Sequence, residues 1–138
     1  MRLDLYQDET ARIASTQQAI LGQAREAMAS GRSLSQLEQA GMLHALQVLV
    51  ENAIGKAKHM LKAHGKTVPV SAYDAFGDLA QLGVFPAHEL PRWSAIVGLR
   101  NRIVHDYMNI DMNQIVALVQ SGSEQFIVDF LLLPIQES

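Results

Sequence analysis

From Leu43 to Leu61 the apolar residues Leu43, Leu46, Val50, Ala53, Ala57, Met60 and Leu61 recur at three- and four-residue intervals, and no proline precedes Pro69. That spacing belongs to an amphipathic helix, which is stable in water only when its apolar stripe is covered by other elements. No stretch shows the convincing alternation of a strand, so the cover is expected to come from further helices.

The remaining helices are marked by their breakers and caps. A first long helix is predicted from about Leu5 to Ala29 in spite of Gly22, ending at Ser30, Gly31 and Arg32. Ser33 is read as the cap of the second helix, with Gln36 as its capping-box partner, and that helix runs to Ala63 before Gly65. The segment from Gly65 to Val70, with Pro69, suits an extended connection. Ser71 caps a third helix with Tyr73, Phe76, Leu79, Ala80 and Leu82 on its apolar side, and Gly83 stops it. Pro91 falls in the first turn of a fourth helix that continues to about Tyr107. Asp111 caps a fifth, which carries Ile115, Leu118 and Val119 and extends past Gly122 to Phe130 and Leu131. These elements predict an all-α bundle of five helices, a single domain over residues 1–138.

A hydrophobic share of 49% in 138 residues is enough for one core. The absence of cysteine rules out disulfides and thiolate metal sites and fits an expected cytoplasmic location. Arg2, Asp4, Asp8 and Glu9 leave no long apolar run at the start, so neither a signal peptide nor a membrane anchor is expected there. The apolar run Phe126 to Leu133 is too short for a bilayer span. A net charge of −3 and a pI near 5.9 argue against broad nucleic-acid binding, so an RNA ligand would need a local basic patch. Lys56, Lys58, Lys62 and Lys66, with His59 and His64, are one candidate, and Arg102 is a further RNA-binding candidate. A solvated helix face is the alternative.

On helix four, Trp93, Ile96, Val97, Ile103, Val104 and Tyr107 fall on one stripe, and Arg100 lies near its centre. A guanidinium in that place requires an anionic partner, an oligomer interface or a wet cleft that admits a ligand. Asn101 and His105 lie one turn apart on a neighbouring face. Such a set can handle a phosphate without metal, since histidine titrates near neutrality and arginine neutralises developing charge. The five histidines show no carboxylate spacing that suggests a metal site, and no glycine-rich phosphate loop is present.

The run RNRIVHDY from Arg100 to Tyr107 resembles the R-x-x-x-x-H-x-Y motif of HepT toxins in the HEPN superfamily. The likeness extends over LHALQVLVENAIGKAKHML, AYDAFGDLAQLGVFP and IVGLRNRIVHDYMNID, about half the chain, with a departure at Gly41 to His44. It implies a HEPN-type helical bundle acting as a homodimer, with metal-independent endoribonuclease activity, no cofactor, and a nucleotidyltransferase antitoxin as partner. By the resemblance, Arg100 binds the scissile phosphate, His105 is general acid or base for attack by the ribose 2′-hydroxyl, and Asn101 orients the phosphate or His105. Asp106 either tunes a histidine or faces solvent. Tyr107 corresponds to the position that the partner modifies with AMP, the alternative being a packing aromatic. Two rival functions remain: a non-catalytic module that binds a nucleotidyltransferase, and a purely structural dimerisation domain.

Overall fold

The computed structural model describes residues 2–135, and the two ends of the expected 1–138 domain, Met1 and 136–138, lie outside them. Among the described residues there are six α-helices and no strand: α1 (Leu3–Ala29), α2 (Gln36–Ala63), α3 (Ala72–Gln81), α4 (Leu90–His105), α5 (Met112–Gln120) and α6 (Gln125–Leu132). Six replaces the expected five because the last element breaks at Gly122, whose φ of 71° no side-chain-bearing residue adopts easily. The two halves meet at 61°, which turns α5 toward α1 and lets α6 pack on both α1 and α2. No single helix among the described residues is long and apolar enough to cross a membrane.

Local chemistry explains most boundaries. Ser71 accepts from the Asp74 N–H at 3.3 Å and Asp111 from the Asn113 N–H at 3.0 Å, so both expected caps are in place. The cap of α2 is Ser35, two residues later than expected. Ser35 Oγ accepts from the Glu38 N–H at 3.1 Å, and the Glu38 carboxylate accepts from the Ser35 N–H at 2.9 Å. A carboxylate at this position outcompetes Gln36 because it also takes a two-pronged ion pair from Arg32, at 2.7 and 2.6 Å. Together these contacts hold the Glu38 carboxyl at a pKa of about 2.

α2 forms the centre. Leu46, Leu49, Val50, Ala53, Ala57 and Leu61 are fully buried, and α1, α3, α4 and α6 pack around them. Trp93 joins α4 to its neighbours: it stacks on Phe76 of α3 at 4.3 Å and meets Phe126 and Phe130 of α6, each at 4.9 Å. Such aromatic pairs add about 1 kcal/mol each beyond the area they bury. Arg25 of α1 pairs with the buried Glu124 and donates to the Val119 carbonyl at 2.9 Å, tying α1 across the bend.

Lys56 corrects the expected basic patch. It is completely buried, and its ammonium donates to the carbonyls of Phe130 and Leu131, at 2.8 and 2.9 Å, and to that of Leu133. These carbonyls lie at the C-terminal end of α6, where backbone acceptors outnumber backbone donors and the helix dipole also favours a cation. Burial pushes the Lys56 pKa down to about 8, still above neutrality. Lys58 is half-buried and donates to the Val70 carbonyl at 2.8 Å, while His59 packs on Tyr6 at 4.1 Å. Lys62 and Lys66 alone remain exposed from that lysine group.

Candidate functional site

α4 begins with Pro91 in its first turn, runs through the buried Trp93, Val97, Leu99 and Ile103, and stops at His105. Asp106, at φ −143° and ψ 40°, leaves the helical region, and Tyr107–Asn109 form a separate 3-10 turn. The helix therefore ends two residues sooner than its periodicity suggests, and Tyr107 does not return to the Arg100 stripe. Past the buried Ile103 the chain emerges from the core: Val104 is 44% exposed, and beyond the helix Tyr107 is 49% and Met108 91% exposed. Val104, Tyr107 and Met108 thus stand in solvent directly beside the motif.

Arg100 has the anionic partner its position demanded, Glu51 of α2, at 3.2 Å. The guanidinium side chain is 23% exposed and the glutamate 42%, so the pair lies at the edge of the bundle. One Arg100 nitrogen makes this contact, while Nε is buried with no hydrogen-bond partner among the described residues. An ion pair this exposed contributes at most about 1 kcal/mol, so an incoming phosphate competes with Glu51 on favourable terms. Glu51 was missed at the sequence level. Its signal is a carboxylate placed between Val50 and Ala53, on a helix that is mostly buried along this stretch.

Arg102 and His105 are exposed and Asn101 is half-buried, on the side of α4 that faces away from Arg100. Five residues of helix separate Arg100 from His105, which places them roughly 140° apart around the axis. Asp106 is exposed, and its carboxylate accepts from the Asn109 side chain at 2.7 Å, closing the turn that presents Tyr107. A groove of about 300 Å³ runs between α4 and α5, with Ile96, Leu99, Ile115 and Leu118 among its lining residues together with Arg92 and Arg102. Neither Arg100 nor His105 lines it.

Tyr73, expected on the apolar side of α3, is 43% exposed, and its hydroxyl reaches toward Gly98 on α4. Phe76 and Leu79 are buried as expected, and Ala72 and Ala75 complete the buried side of α3.

The described residues thus form an all-helical bundle that holds Arg100 at its edge against Glu51 and carries Asn101, Arg102 and His105 on another side of the same helix. A family model described as "Ribonuclease HepT-like" matches residues 10–129, and the chain belongs to that family. It is 32% identical to an mRNA nuclease HepT of Shewanella oneidensis over 88 residues, which are 64% of this chain and 66% of that protein. It is 28% identical to a tRNA nuclease HepT of Aphanizomenon flos-aquae over 81 residues, 59% of this chain and 55% of the relative. The matches thus span somewhat less than two thirds of either relative's length. Two solved structures share the fold at a TM-score of 0.71, each over 95% of this chain. One is a toxin–antitoxin complex with AMP-PNP, 23% identical over 98% of its chain. The other is a tri-AMPylated HEPN toxin of Shewanella oneidensis in complex with an MNT antitoxin, 24% identical over 97% of its chain.

Proposed function

We propose that the chain is the ribonuclease toxin of a toxin–antitoxin pair, a homodimer that cleaves RNA without metal and is neutralised by a nucleotidyltransferase. The observation that carries this is the geometry of α4: Arg100 and His105 diverge around one helix, with Val104, Tyr107 and Met108 exposed at and just past its end. One copy cannot turn both side chains to the same phosphate. Two copies related by a twofold axis through Val104, Tyr107 and Met108 bring Arg100 of one protomer toward His105 of the other.

In such a cleft His105 takes the proton of the ribose 2′-hydroxyl as its oxygen attacks the adjacent phosphorus, and the 5′-oxygen leaves with a proton. Arg100 transfers its pairing from Glu51 to the phosphate and neutralises the charge that develops there. Asn101 holds the phosphate or the imidazole, and Asp106 acts only by shaping the turn. The nucleophile is supplied by the RNA, so the reaction requires no cofactor. Purified protein with excess chelator is expected to cleave single-stranded RNA, leaving a cyclic or 3′-phosphate and a 5′-hydroxyl, identified by end-labelling. Loss of cleavage on chelation defeats the metal-independent mechanism.

Tyr107 is the modification site in this proposal. Its half-exposed phenol on a short turn is open to a partner enzyme. The phenolic oxygen would attack the α-phosphorus of ATP, releasing pyrophosphate, with the partner supplying base and metal because an ordinary phenol, with a pKa of about 10, is a poor nucleophile at neutrality. The added phosphate and adenosine bring charge and bulk beside the motif. After co-expression with its cognate nucleotidyltransferase, the chain is expected to gain one or more AMP groups by intact mass, the first of them lost in Tyr107→Phe. An unmodified mass together with full neutralisation of Tyr107→Phe would indicate an antitoxin that acts by binding alone.

If Arg100 serves only to pair with Glu51, the chain is instead a non-catalytic module that binds a nucleotidyltransferase. RNA cleavage by the purified chain separates the two.

A further inference from the structure

We propose that Tyr73, Gly98 and Arg102 form a phosphate seat that holds the backbone of single-stranded RNA one step away from the scissile bond. A Cβ built on Gly98 would stand 3.6 Å from the Tyr73 hydroxyl and 3.9 Å from Arg102 Nη1, and no other heavy atom beyond the local helix comes within 4 Å. Two hydrogen-bond donors from different helices therefore lie within 4 Å of the point that a Gly98 side chain would occupy. Tyr73 and Arg102 are both solvent-accessible, and neither side chain makes a hydrogen bond or ion pair among the described residues. The nearby carboxylate of Asp111, which shares the α4–α5 groove with Arg102, is engaged in capping α5.

The seat is aligned with the proposed chemistry. Gly98, Arg102 and His105 fall within roughly 60° of one another on α4, and Gly98 precedes His105 by about 10 Å along the axis. A hydroxyl and a guanidinium converging on one point suit a phosphate oxygen, and contacts of this kind fix the register of a nucleic acid without reading its bases. Glycine is a poor residue for a helix interior, and no neighbouring backbone at Gly98 requires it. Its use here is to keep the space between the two donors open.

The proposal rests on the ribonuclease function above, and its test separates the two. In a His105→Ala background, which binds RNA without cleaving it, the probe is a short fluorescein-labelled single-stranded RNA of mixed sequence followed by anisotropy. Tyr73→Phe and Arg102→Gln are each expected to weaken binding roughly three- to ten-fold, the net worth of one ordinary hydrogen bond. Arg102→Gln should also lower the slope of log affinity against log salt by about 0.7, one phosphate contact on a single strand. Gly98→Ala should weaken RNA binding while its thermal midpoint stays level or rises, a combination that a purely structural glycine would not produce. If the parent binds RNA and the folded Tyr73→Phe and Arg102→Gln variants bind it equally well, the seat is overturned and the ribonuclease function stands. If the parent itself binds no RNA, both fall.

Discussion

Substituting alanine for His105 is expected to lower RNA cleavage roughly 10²- to 10⁴-fold, the usual contribution of a general acid or base, with the unfolding midpoint unchanged. The imidazole is exposed at the last residue of α4 and makes no side-chain hydrogen bond among the described residues, so its loss should change stability by less than about 0.5 kcal/mol. Arg100→Ala is expected to lower cleavage by a comparable factor for a different reason. It removes the charge opposing the developing phosphate dianion and leaves Glu51, which is 42% exposed, to be hydrated. Mixing the two inactive variants provides the more searching measurement. If one site uses Arg100 of one protomer and His105 of its partner, exchange into mixed dimers regenerates one intact site of the two. Activity should then recover to about half that of the unmodified protein per mixed dimer. Failure to recover, with dimer exchange verified by mass, would place both groups in one chain and sink the composite site. A folded His105→Ala variant that still cleaves at the full rate would remove the histidine from the chemistry altogether.

Replacing Lys56 by methionine should destabilise the fold by about 2–5 kcal/mol, a large part of the roughly 5–15 kcal/mol that holds a domain together. Methionine matches the aliphatic stem in volume, so the loss isolates the ammonium. Without it the carbonyls of Phe130, Leu131 and Leu133 lose their shared donor inside the protein, although Phe130 keeps the Leu133 N–H at 3.2 Å and Leu131 the Gln7 side-chain amide at 2.9 Å. The expected signature is a lower midpoint in urea with an unchanged slope, since the surface exposed on unfolding stays the same. Lys62→Met, at an exposed site six residues further along α2, should stay within about 0.5 kcal/mol of the parent. Equal midpoints for the two variants would show that the end of α6 is satisfied by other means. RNA binding should be insensitive to Lys56 in any folded variant, in contrast to its expected place in a basic surface patch.

How far each feature was legible follows from how far away its causes lie. The all-helical class, the Ser71 and Asp111 caps, Pro91 in the first turn of α4 and the stop at Gly83 depend on atoms within one or two helical turns, so the sequence by itself determined them. Even the misplaced start of α2 was a local matter: Ser35 outranked Ser33 because Glu38, with Arg32 behind it, is the stronger partner. The motif row of Arg100, Asn101 and His105, and the divergence of Arg100 from His105, likewise follow from helical geometry once α4 exists. Lys56 is different. Whether a long amphipathic lysine turns to water or inward depends on whether acceptors await it, and its acceptors are carbonyls 74 to 77 residues further along the chain. Glu51 meets Arg100 across 49 residues, and Tyr73 reaches Gly98 only because α3 packs on α4. Burial of a charge costs more than any local preference can offset, so the partners brought in by packing decide where each charged group goes. Tertiary structure alone made Lys56 a structural clamp, gave Arg100 its resting partner and placed a tyrosine hydroxyl over the helix that carries the motif.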